Sequence, residues 1–114
     1  MSGRDSLSFP GALQQVPINV NASGDSTLLT GQAGKQIKVF RLKLIVAAAV
    51  SILIKDGSGI ILDGPLSFSA NEGMILDFTC LDMPPWYSTS LGNALVINCS
   101  GAVQVGGNFD YLVS

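Results

Sequence analysis

The residues able to do chemistry in this chain of 114 are few, and the most versatile is missing: there is no histidine, the commonest general base and metal ligand. Thr30 to Ile37 reads TGQAGKQI and has the outline of a phosphate-binding loop. The position of its first required glycine is Leu29, however, and Gln36 follows Lys35 where Ser or Thr is needed. The segment also leads into a strand pattern, with no helix to lend its dipole, so nucleotide binding is not expected. Asp56-Gly57-Ser58-Gly59 lacks the ladder of oxygen ligands of a calcium loop and reads as a hairpin turn. Glycoside hydrolysis would need two carboxylates facing one cleft. Asp77 and Asp82 are available, but their setting at a strand edge and in a loop is that of solvated acids. The expectation is a protein that is not an enzyme and that has no catalytic, metal or cofactor-binding residues.

Two clusters remain. Lys35, Lys38, Arg41 and Lys43 crowd one stretch, but Lys38 shares strand parity with Phe40 and Leu42 while Arg41 and Lys43 have the other. The four form no single stripe unless a bulge realigns them, and a solvated or subunit-contacting strand face is favoured over nucleic-acid binding. Met83-Pro84-Pro85-Trp86-Tyr87 is the most distinctive segment. Its aromatics either close one end of the fold or anchor a contact between subunits, with sugar stacking a third use. Cys80 and Cys99 make up the whole thiol inventory and read as buried free thiols.

The elements that must position these residues are strands. No window shows sustained apolar recurrence at three and four residues, whereas period-two alternation is widespread. Val16, Ile18 and Val20 alternate with polar residues and Pro17, which fits an edge strand. Ser26 to Thr30 forms a short strand. From Ile37 to Val46 the apolar parity slips by one at Val39–Phe40, which predicts a β-bulge. Further runs cover 50–55, 60–62, a break at Asp63-Gly64-Pro65, 66–68, Met74 to Cys80, Leu95 to Cys99 and Val103 to Tyr111. Gly106-Gly107 inside the last run predicts a bulge or a close backbone approach. Eight or nine short strands at this spacing imply an all-β antiparallel sandwich or barrel. Residues 16–114 form one domain, and residues 1–15 form an extended N-terminal arm.

Composition bounds the rest. Charged residues make up 12% of the chain and apolar ones 47%, where ordinary domains carry about 25% charge. So little charge suits a protein whose surface is largely covered in use. All six cations lie in residues 1–55, and residues 56–114 hold six of the eight acids. The halves average out if the fold interleaves them; otherwise the surface is bipolar. The longest apolar run, Leu44 to Ile54, is too short to span a bilayer as a helix, and the first residues do not have the pattern of a secretory signal. Neither membrane nor nucleic acid is an expected partner.

Ile61-Leu62-Asp63-Gly64-Pro65-Leu66, Pro85-Trp86-Tyr87, and Gly92 to Ile97 running into Gly101 to Gly107 and Tyr111 resemble small virion proteins of tailed bacteriophages. The similarity in style is to capsid decoration, or cement, proteins. That resemblance implies a jelly-roll-like sandwich on the capsid exterior, made in the bacterial host cytoplasm and often trimeric, that bridges subunits of the major capsid protein. A tail, fibre or spike component with a receptor- or sugar-binding sandwich is the alternative. Leu7, Phe9 and Leu13 of the arm, Lys38, Arg41 and Lys43, and Pro85, Trp86 and Tyr87 are the candidate partner contacts. Leu53, Ile61, Ile75 and Val96, apolar and outward by parity, are expected to be covered by neighbours.

Overall fold

A computed structural model of the chain describes residues 13–77 and 84–114. They form nine strands and no helix: β1 Gln14–Val20, β2 Gly24–Leu29, β3 Ile37–Val46, β4 Val50–Asp56, β5 Ile60–Phe68, β6 Gly73–Leu76, β7 Tyr87–Ser88, β8 Leu95–Cys99 and β9 Val105–Val113. A front sheet has the order β1-β9-β3-β6, with β7 also paired to β3, and a back sheet has the order β2-β8-β4-β5. Every neighbouring pair is antiparallel. Apart from the β4–β5 hairpin and the step from β6 to β7, each connection crosses from one sheet to the other. That interleaving is the jelly-roll arrangement of two four-strand layers, with β7 as an addition.

The core lies between the layers. Val39, Leu42, Val46, Ile52, Ile54, Leu95, Ile97, Val105 and Phe109 have no exposed surface. Burying side chains of this kind contributes about 1.5–3 kcal/mol each. The expected parity slip is present: Asp110 pairs with Arg41 and Tyr111 with Val39, leaving Phe40 as the extra residue of a bulge. Val39, Leu42, Leu44 and Val46 can therefore all be buried. The close approach expected at the paired glycines belongs to Gly107, where φ is +148° and a Cβ would collide with the Lys43 carbonyl and lie 2.9 Å from Leu44 Cα. Cys99 is buried and free, and burial pushes its thiol pKa up.

Three expectations are corrected. Asp63-Gly64-Pro65 does not break the chain into two runs. β5 passes through it, absorbing the irregularity in register shifts along an outer strand, where a proline removes no ladder bond. Tyr87–Ser88, expected as loop, is a short strand on β3. Val103 lies before the last strand, which begins at Val105. Cys80 and Asp82 lie outside the described residues.

Interleaving brings one cation of the basic half against acids of the other half. β3 from the basic half lies between β9 and β6 from the acidic half, so Arg41 comes within 3.6 Å of Asp110 and 3.8 Å of Asp77. On the back sheet Lys55 Nζ instead reaches an acid of its own half, Asp25, at 3.1 Å. The Asn98 amide, then the Lys55 ammonium, hold the Asp25 carboxyl below its ordinary value.

Candidate functional site

The outer face of the front sheet collects the three strand cations among the candidate residues, Lys38, Arg41 and Lys43. The bulge supplies the realignment that parity alone denied: Lys38 pairs with Leu112, Arg41 with Asp110 and Lys43 with Asn108. The three cations therefore share the outward side, while Lys35 lies outside the strand in the preceding turn. Their roles differ. Arg41 donates to Asn108 Oδ1 at 3.0 Å and stands between Asp110 and Asp77, and Asp110 also accepts from Gln15 Nε2 at 2.9 Å. This is a cross-strand polar row on the sheet surface, where ion pairs contribute about 0–1 kcal/mol each. Lys43 is exposed and makes no ion pair among the described residues.

Beside Lys43 the face turns apolar. Its cross-strand partner on β6 is Ile75, 69% exposed, and Ile45, two residues along β3, is 59% exposed. Both isoleucines help to line a depression of about 290 Å³, together with Lys43, Leu44, Gly106 and Gly107. Gly106, the partner of Ile45 on β9, lines it without contributing a side chain. Unlike Gly107, Gly106 is not forced to be glycine, since a Cβ there would meet only the Ile18 carbonyl oxygen, at 4.0 Å.

The Pro-Pro-Trp-Tyr segment divides its aromatics between surface and interior. Trp86 is 41% exposed; its Nε1–H donates to the Asp77 carbonyl at 3.1 Å, and its backbone N–H to the Val39 carbonyl at 2.7 Å. Tyr87 is buried in the core, and its hydroxyl donates to Asp63 Oδ2 at 2.6 Å, joining a front-sheet strand to β5 of the back sheet. Burial first, and the adjacent Asp63 carboxylate second, push the phenol's pKa well up. Trp86 and Tyr87 thus form no two-ring platform. Pro85 and Leu13 are half-buried, and Leu7 and Phe9 lie outside the described residues.

The outward apolar set is also divided. Ile61 and Ile75 are exposed and Leu53 is half-buried, but Val96 is only 6% exposed. Register places Val96 between Thr27 and Lys55, so its own chain covers it.

Sequence reading missed a polar knot at one end of the sandwich. Asp56, 4% exposed, accepts from Ser90 N–H at 3.0 Å, Ser90 Oγ–H at 2.7 Å and Asn93 Nδ2–H at 3.0 Å. Desolvation works to raise its pKa, but these bonds outweigh it and hold the carboxyl below its ordinary value. Next to it Thr89, also buried, accepts from Ile37 N–H through Oγ1 at 2.9 Å. All these groups are partnered within the chain, and the knot ties the β4–β5 turn to the segment before β8. Among the described residues no three His, Cys, Asp or Glu side chains converge as metal ligands, and no helix is long and apolar enough to cross a membrane.

Comparison with protein families, curated proteins and solved structures finds no match to this chain.

Proposed function

We propose that this protein is a structural component of a tailed-bacteriophage virion that decorates the capsid exterior and stabilises it by bridging subunits of the major capsid protein. One observation carries the reading most: in a chain with 14 charged residues, the outer face of the front sheet offers two exposed isoleucines around an open depression, rimmed by Lys43. Monomers with so little charge rarely leave such positions to water, and an apolar centre with a polar border is the anatomy of a protein contact. The jelly-roll layout is compatible but does not select the role, because the same layers serve capsid, lectin and enzyme domains. Trp86 supplies a further exposed anchor near this face. The sugar-binding alternative gains nothing from Tyr87, whose ring is buried.

The test is co-sedimentation of the purified full chain with capsids from which this chain has been deleted. Saturable binding in hundreds of copies, together with a raised temperature of capsid disruption, is expected. Ile75→Asp should reduce binding by about tenfold or more, since one desolvated carboxylate at an apolar contact costs upward of about 1.4 kcal/mol. A virion copy number of only a few, or none on the shell, would rule the reading out.

A further inference from the structure

We infer that the depression beside Gly106 is a docking site for one apolar side chain flanked by an acidic residue, presented by the protein partner. The inference rests on the capsid reading only for naming that partner as the shell subunit. Two independent features point to such an occupant. The first is shape. Gly107 is glycine because the fold demands it, but Gly106 is not, so the absent side chain in the lining of the depression has no explanation in the fold itself. The two exposed isoleucines, Ile45 and Ile75, make the opening apolar, and at about 290 Å³ it is at the small end for a ligand cavity.

The second feature is charge. Lys43 lines the depression, and its strand partners are Asn108 and Ile75, neither of them an acid. Asp110 and Asp77 stand one row away beside Arg41, and Glu72, next to Gly73, accepts from Ser69 N–H at 2.6 Å. Lys43 is thus left uncompensated among the described residues at the edge of apolar surface. A carboxylate beside the inserted side chain completes the site, and a basic segment is repelled.

The experiment uses the ¹⁵N-labelled full chain and two synthetic heptapeptides, each with a central phenylalanine, one flanked by aspartates and the other by lysines. The acidic peptide should shift the amide signals of Ile45, Ile75, Gly106 and Gly107 and bind at least about tenfold more tightly than the basic one. Gly106→Val, which adds a side chain to the lining, should abolish those shifts with the melting temperature unchanged. Lys43→Glu should reverse the peptide preference, so the inference stays testable if the valine variant fails to fold. Equal binding of both peptides, no shift with the acidic one, or shifts confined to other residues would overturn it. So would sedimentation showing a dimer that Gly106→Val dissociates, because the occupant would then be a second copy. Peptide binding without capsid binding would leave this site standing and remove the shell reading. Capsid binding untouched by both variants would do the reverse.

Discussion

Replacing Asp56 by alanine should be among the most destabilising polar substitutions in the described part of this protein. The carboxylate accepts three hydrogen bonds, two at Oδ2 from Ser90 and one at Oδ1 from Asn93, while itself 4% exposed. Bonds to a buried charged group are worth about 1.5–3 kcal/mol each. Ser90 is exposed and its donors can recover water, which brings the expected loss down to about 2–4 kcal/mol. At about 4 °C per kcal/mol for a domain of this size, the melting temperature should fall by roughly 8–16 °C. Differential scanning calorimetry at pH 7 measures it. The pH dependence gives an independent check. Because the folded-state pKa is lowered, the stabilisation is present above the unfolded value of about 3.9 and is lost as pH falls through the lower folded value. The gap between wild type and Asp56→Ala should therefore be widest above about pH 5 and narrow in acid. A drop of less than about 3 °C at pH 7, or a gap that widens on acidification, would refute the view that Asp56 clasps the two loops.

Two further predictions follow from the interior. Tyr87→Phe removes the hydroxyl bonded to Asp63 at 2.6 Å without opening a cavity, so it should cost about 1–2 kcal/mol, read from the denaturation midpoint at unchanged slope; a neutral result would show that this link between the sheets adds nothing. In a Cys80→Ser background, the one remaining thiol, Cys99, is 1% exposed with its pKa pushed up by burial. It should react with a disulfide reagent only as fast as the protein opens, and rapid labelling of the native state would contradict its place in the core.

How much of this was legible depends on the range of the physics involved. Strand periodicity is local, so the all-β class, the β4–β5 hairpin and the Val39–Phe40 bulge could be read from residue types alone. The bulge shows where such reading stops. It was visible as a slip of parity, yet its consequence, the common outward side of Lys38, Arg41 and Lys43, needed the strand β9 that faces it. The polar knot shows the same limit more sharply. Asp56, Ser90 and Asn93 are separated by 34 and 37 residues, and no pattern along the chain says that a turn residue will be buried by a segment so distant.

Sequence alone, then, determined the absence of histidine chemistry, the scarcity of charge and the alternation that makes strands, because these depend only on which residues are present and on their near neighbours. The tertiary structure decided which apolar residues remain outside. Val96 and Ile75 look alike on paper, but pairing encloses Val96 between Thr27 and Lys55 and leaves Ile75 on a short outer strand at 69% exposure. It also separated two adjacent glycines, one required by a neighbouring carbonyl and one free to vary. Burial is a property of strand order, and strand order here interleaves the chain's two halves, so the surface could be known only once the sheets were assembled.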